Sequence, residues 1–461
     1  MVIFGNIIDI YKNEIYPGAI KFNDGIISDI ERHEKSYEVY ILPGLIDSHI
    51  HIESSMSTPG SFAATAVRHG TTGVVSDPHE IANVLGLQGI EYMLSDSEKV
   101  PLKFWFGAPS CVPATVFESN GAVIDSKDIQ QILRRKEIKY LSEVMNYPGV
   151  IFKDPEVMDK IETARKRGKK IDGHAPGLRG DGLRKYINTG ISTDHECSTI
   201  EEAEEKISLD MKIQIREGSA ARNLDALKSL IKSHPDKIML CSDDLHPENL
   251  IVGHINALVT KLVNEGFDIF DVIRACTLNP AIHYELEAGL LKPGTPADFI
   301  IVESYKSMKV KETWIDGRKV FENGRVLFDY HGGDYQNRFN SGLITADSIR
   351  VERTGHKIRV IKAVDGEIVT GEIYFDTGSG KFVDTQISDD ILKIVVKDRY
   401  KNNPPATAFI NGFGLKKGAF ASSVAHDSHN VICVGTNDDD IVAAINKIIE
   451  MKGGLAVAEG N

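Results

Sequence analysis

Apolar residues fall in short runs along most of the chain, and the pattern between the runs changes twice. Residues 1 to about 40 carry VIFGNIIDI, AIKFNDG and IISDIE, β-branched stretches broken by turn residues, which predict strands. Asn23-Asp24-Gly25 predicts a hairpin. From Ile41 to about Ser242 eight apolar segments stand out: YILPGLIDS, TTGVVSD, LKFWFGAP, IKYLSEV, KKIDG, GISTD, MKIQIRE and KIMLCSD. Charged amphipathic stretches separate most of them, and DPEVMDKIETARKRG and TIEEAEEKISL have clear helical periodicity. Eight strands alternating with helices over about 200 residues predict a parallel (β/α)8 barrel. The alternative is an open doubly wound sheet, but its GxGxxG fingerprint is missing from the first strand–helix turn.

Residues 247 to 288 predict helices, most clearly in PENLIVGHINALVTKLVNEG, and GLLKPGTPADFIIVE and VKETWIDGRKVFENGRVL return to strands. The expected fold class is therefore α/β. A (β/α)8 TIM-type barrel occupies 41–288, and a small β-sandwich domain is built from both flanks of the barrel, 1–40 with 289–330. An additional C-terminal α+β domain, 331–461, is rich in strands and Gly turns and ends in the helix DDDIVAAINKIIEMKG.

Composition narrows the class without naming a function. A chain of 461 residues exceeds one ordinary core, and 42% hydrophobic with 26% charged residues is a soluble globular balance. A net charge of -13 offers no basic face for nucleic acid. Cys111, Cys197, Cys241, Cys276 and Cys433 are scattered and form no CxxC pair, which argues against a disulfide framework and fits a reducing cytoplasm. The N-terminus lacks a basic region with a cleavage site, and no apolar run is long enough to span a bilayer.

The sharpest chemical signal is Asp47-Ser48-His49-Ile50-His51-Ile52-Glu53, placed after the apolar ILPGLI. Alternate strand residues point to one side, so His49 and His51 can present two imidazoles to one metal at the C-terminal end of the first barrel strand. Further candidates stand where later strands run out: Glu143 after IKYLS, His174 after KKIDG, His195 after ISTD, and Asp243 after IMLCS. Taken singly, each is as well explained as a surface histidine or a solvated acid. Their agreement across strand ends predicts a site for two divalent ions, with Glu143 able to bridge them. Imidazole suits zinc, iron and manganese alike. Such a pair lowers the pKa of a shared water toward neutrality, and Asp243 can take its proton and later deliver it to a leaving group.

Other polar loops flank these positions. Asp77-Pro78-His79-Glu80 follows the second strand and Arg216-Glu217-Gly218-Ser219 the seventh. Glu80, Glu217, His79 and Arg216 are candidate substrate contacts, or these loops simply cap the helices behind them. In Ala425-His426-Asp427-Ser428-His429-Asn430, the two histidines can hold a third metal, reach over the barrel mouth toward substrate, or close a hydrogen-bonded turn.

LPGLIDSHIHIESSM, GAPSCVPAT, SEVMNYPGV, GHAPGL, STDHE, REGSAARNL, CSDDLHPENL and SVAHDSHN closely resemble the bacterial and archaeal adenine deaminases of the amidohydrolase superfamily. The resemblance runs from about residue 3 to about 455. PGLIDSHIH is shared with dihydroorotases, hydantoinases and ureases, whereas ESSM, PSCVPAT, DPHE and AHDSHN are more specific to the adenine enzymes. It implies hydrolysis of adenine to hypoxanthine and ammonia in purine salvage or breakdown. It also implies a binuclear iron or manganese site held by His49, His51, Glu143, His174, His195 and Asp243, and a homo-oligomer. Glu143 stands where many relatives have a carboxylated lysine, which favours the deaminase branch. Glu80 or Glu217 would manage one of the proton transfers. Family members usually continue beyond the segment matching GGLAVAEGN and often begin with a leading helical segment, so the last domain is expected to be a short form. The competing readings are an amidohydrolase acting on a cyclic amide or another amino-heterocycle, and a catalytically dead barrel scaffold.

Overall fold

Eight parallel strands, numbered here in barrel order, run Leu45–Ile50 (β1), Thr71–Ser76 (β2), Lys103–Ala108 (β3), Ile138–Val144 (β4), Lys170–Gly173 (β5), Thr193–Asp194 (β6), Lys212–Arg216 (β7) and Ile238–Cys241 (β8). The structure is a computed structural model and describes residues 1–333, 336–366 and 369–460. β1 to β5 form one sheet and β6 to β8 another. Two seams close the ring. Ser192 N donates to Ile171 O at 3.0 Å between β5 and β6, and Asp243 N donates to His49 O at 2.9 Å between β8 and β1. All eight segments expected to be barrel strands are found as strands.

Burial on both faces explains why these strands read as near-continuous apolar runs. Ile46, Val75, Trp105, Tyr140 and Met239 pack with Tyr284 in one cluster. Ile213, Ile215 and Leu240 pack with Leu258, Val259, Val272 and Ile273 in another. Each such side chain contributes roughly 1.5–3 kcal/mol on burial.

The segment YILPGLIDS, expected as one strand, is two. Tyr40–Pro43 belongs to a separate sheet, and Leu45–Ile50 begins the barrel. Gly44 lies at the break, where a Cβ would stand 2.2 Å from Thr72 Oγ1. Tyr40–Pro43 pairs with Val2–Asp9 on one side and Phe299–Val302 on the other, so both flanks of the barrel join one eight-stranded sheet. That sheet curls over: Phe22 lies three strands from Phe299 in sheet order, yet their rings are 5.7 Å apart. The Asn23-Asp24-Gly25 turn joins Glu14–Asn23 to Ile26–Arg32, with φ of 49° at Asp24 and 80° at Gly25, the left-handed pair a tight hairpin requires.

PENLIVGHINALVTKLVNEG is likewise two helices, Pro247–Val252 and Ile255–Asn264. The chain is extended at Gly253, with φ of -175°, and this break directs His254 toward β1.

The chain divides into two compact units. The first holds the barrel and the composite sheet. The second holds Glu80–Gly86, Val112–Val123 and the segment beyond Gly333. In the second unit a seven-stranded mixed sheet carries the helix Asp438–Met451, which buries Ile441, Ile445 and Ile448. Asn437 caps that helix through Asp440 N at 2.8 Å. The helix is not the last element, because Leu455–Ala458 follows it as an edge strand against Ala419–Ser422.

Candidate metal centre

β1 has an irregular register between Asp47 and Ile50, and His51 lies just past its end. His49 and His51 both face Asp243 Oδ1, at 3.4 and 3.2 Å from their Nε2 atoms. Asp243 follows β8 with φ of 54°, a left-handed conformation an aspartate tolerates better than most residues, and this turns its carboxylate toward both histidines.

Glu143, at the end of β4, stands between two groups of imidazoles. Its Oε1 lies 3.2 Å from His51 Nε2 and 3.4 Å from His79 Nδ1. Its Oε2 lies 2.6 Å from His174 Nδ1 and 3.2 Å from His195 Nε2. His174 follows β5 and His195 follows β6. Thus the six residues expected to bind metal come together, and all but the partly exposed His174 are buried.

Both ring nitrogens of His49 are buried without a hydrogen-bond partner among the described residues, as is His195 Nδ1. Burial and the neighbouring His195 push the His49 pKa down, so its imidazole stays neutral, the form that ligates a cation. Burial opposes ionisation of Glu143, yet His174 and His195 hold it well below the usual carboxylate range. Of these six nitrogen–oxygen spacings, five lie at 3.2 Å or beyond, the long end of the hydrogen-bond range. The buried donor set of imidazoles and carboxylates therefore fits divalent first-row ions.

Two further charged groups complete the site. Arg216, ending β7, forms a bidentate pair with Glu196 at 2.5 and 2.8 Å and also donates to Asp243 Oδ2. Arg216, expected as a substrate contact, is thus engaged by protein carboxylates. The sequence reading missed Glu196, although it follows His195 directly and a buried arginine requires an anion. It singled out the loop holding Asp77 but gave Asp77 no role, and its Oδ2 lies 2.9 Å from His79 Nδ1; it also missed the clamp behind β1. There Asp47 accepts from Ser242 N at 3.1 Å and pairs with His254 Nε2 at 2.8 Å.

The remaining candidates have partners of their own. Glu217 Oε1 lies 3.3 Å from Lys261 Nζ and is not brought into the cluster. Glu80, next in chain to His79, is buried against His426 Nδ1 at 2.7 Å and His429 Nε2 at 3.0 Å. Burial opposes its ionisation, but the two histidines hold its pKa well below the usual range. His429 N donates to Ala425 O at 2.7 Å, so the AHDSHN segment closes a hydrogen-bonded turn and clasps a carboxylate as well.

Comparison with known proteins bears on the fold and the family. The amidohydrolase family pattern matches residues 40–320, and that of the adenine deaminase C-terminal domain matches 367–461. Adenine deaminases from Methanosarcina mazei and Sulfurovum sp. are 52% and 51% identical, each over 98% of this chain and 84% of the relative. That of Borreliella burgdorferi is 46% identical over the same shares. Among solved structures, a β-aspartyl dipeptidase from Fervidobacterium islandicum aligns with a TM-score of 0.54 at 15% identity, covering 73% of this chain and 100% of that one. An enamidase of the amidohydrolase superfamily aligns at 0.52 and 18%, covering 70% and 96%. These two establish the barrel fold alone. Sequence identity along nearly the whole chain settles the rest: the chain belongs to the adenine deaminase family of amidohydrolases.

Proposed function

We infer that the protein hydrolyses adenine to hypoxanthine and ammonia. The observation that carries the reading is identity of 46–52% to adenine deaminases over 98% of the chain. A donor set converging on Glu143 supports it.

The metal-holding residues in this reading are His49, His51, Glu143, His174, His195 and Asp243, with two divalent ions, manganese or iron, and zinc as the other candidate. Bound there, such ions supply Lewis acidity and lower the pKa of water from 15.7 toward neutrality. The oxygen of water adds to the purine carbon bearing the amino group. Asp243 is the acceptor for the water proton: Arg216 occupies its Oδ2 and keeps it ionised, while Oδ1 faces the histidines. A proton donor gives the ring nitrogen beside the reacting carbon a proton, the carbon–nitrogen bond to the amino group breaks, ammonia leaves with the proton Asp243 returns, and the proton on the added oxygen passes back to the ring-nitrogen donor as the product carbonyl forms. Glu80 is the better candidate for the ring-nitrogen transfer: the imidazoles of His426 and His429 that clasp it can carry the proton, whereas Glu217 is paired with the ammonium of Lys261. We place the enzyme in the cytoplasm as a homo-oligomer. The free, buried cysteines support a reducing compartment. No helix of the described residues is long and apolar enough to cross a membrane.

The test is incubation of manganese-loaded protein with adenine, following ammonia and hypoxanthine, with His49→Ala as control. Product from the wild type and none from the variant is expected. Ring opening of dihydroorotate or a hydantoin without adenine turnover would move the substrate to the cyclic-amide class. A protein that binds no divalent metal would overturn the reading.

A further inference from the structure

The helix Ile200–Ser208 breaks the amphipathic rule its sequence suggests. Glu202 and Lys206, one turn apart, both face inward, and the Lys206 side chain has no exposed surface. A buried lysine needs every N–H satisfied, and Lys206 Nζ has three acceptors: Ala175 O at 2.8 Å, Glu202 Oε1 at 2.7 Å and Asp194 Oδ2 at 3.1 Å.

Those acceptors bear directly on the metal centre. Ala175 follows His174, and Asp194 precedes His195. The Asp194 carboxylate also accepts from Ala175 N at 3.0 Å and from Glu196 N at 2.7 Å. Glu202 accepts from Gly177 N at 2.9 Å and Ser198 N at 3.3 Å. One buried cation with two carboxylates therefore ties the loop after β5, the loop after β6 and the following helix into a single knot. The imidazoles it supports are those on the Oε2 side of Glu143. His49 and Asp243 are braced separately, by Asp47, which accepts from His49 N and Ser242 N.

We propose that Lys206 is a positioning residue for one half of the binuclear site: it orients His174 and His195, and its loss releases one of two metals. This rests on the metal-centre reading above. Outer partners of ligating residues typically change metal affinity by about 10–100-fold.

The test uses the whole chain loaded with manganese and dialysed against graded chelator, with metal per chain measured by mass spectrometry and the electron paramagnetic resonance spectrum recorded. Wild type is expected to hold two ions with a spin-coupled spectrum. Lys206→Met is expected to hold one, with an isolated-ion spectrum, at chelator concentrations that leave wild type full. Because Lys206→Met leaves Asp194 and Glu202 facing each other, the double variant Lys206→Met/Glu202→Gln removes a cation and an anion together, and the same one-metal result is expected. Two metals retained with wild-type chelator resistance in either folded variant overturns the proposal, as does equal loss of both. Wild type that binds no metal defeats the metal-centre reading instead.

Discussion

Arg216 reaches Asp243 through the same terminal nitrogen that bonds Glu196, so one guanidinium holds a carboxylate from the end of β8 and another from the loop after β6. Breaking a buried charge pair by removing one partner costs roughly 3–5 kcal/mol. Arg216→Met should lower the melting temperature and abolish measurable adenine turnover. Arg216→Lys keeps the charge, loses the bidentate fork and should fall between the two. Thermal melts and steady-state kinetics on the pair check this. A methionine variant with wild-type activity would remove Arg216 from the site.

Glu143 faces imidazoles with both oxygens, and Glu143→Gln keeps the shape while removing the charge that would offset two bound cations. We expect metal per chain to fall below two and kcat to fall with it. Metal analysis of the purified variant, with and without added manganese, checks the stoichiometry. Full occupancy at wild-type affinity would contradict a bridging role.

Glu80 and Glu217 are equivalent in sequence terms and different in surroundings. Positioned proton-transfer groups contribute about 10²–10⁴-fold to rate. Glu80→Gln should lower kcat within that range, whereas Glu217→Gln, which breaks an ion pair with partly exposed Lys261, should change kcat little. The reverse ranking in a kcat comparison would exchange their roles.

His283 gives the fold an acid-sensitive point outside the candidate metal centre. Burial, with Lys170 and Lys212 nearby, lowers its pKa from 6.5 to about 3. The folded state keeps it neutral while the unfolded chain takes up a proton below 6.5, so stability falls as pH drops through that window and levels off below 3. At pH 5 the penalty is about 2 kcal/mol. His283→Asn should narrow the difference in melting temperature between pH 7.5 and pH 5. An unchanged difference would show that His283 does not set this sensitivity.

The barrel was legible in the sequence because parallel strands buried on both faces leave compact apolar runs, and the convergence of the candidate ligands because each ends such a run. The Tyr40–Ile50 break was not, since Pro43 and Gly44 sit inside a continuous apolar stretch and only the crowding of Thr72 against Gly44 shows that the sheet changes there. The interruption at Gly253-His254 was hidden by helical periodicity on both sides. Glu196, Asp47 and Lys206 were missed for one reason: a charged residue gives no sign in sequence of facing inward. Helical spacing places Glu202 and Lys206 on one face of their helix, but not which face the core takes.

The pairing of Tyr40–Pro43 with Phe299–Val302 joins segments separated by more than half the chain. Closing so long a loop costs entropy before any contact compensates, and pairings of high sequence separation form slowly. The strand leading into the His49–His51 segment is thus secured by a long-range clasp, formed only after the polypeptide through residue 302 has been made. During synthesis the metal-binding apparatus would mature late, after most of the barrel has left the ribosome.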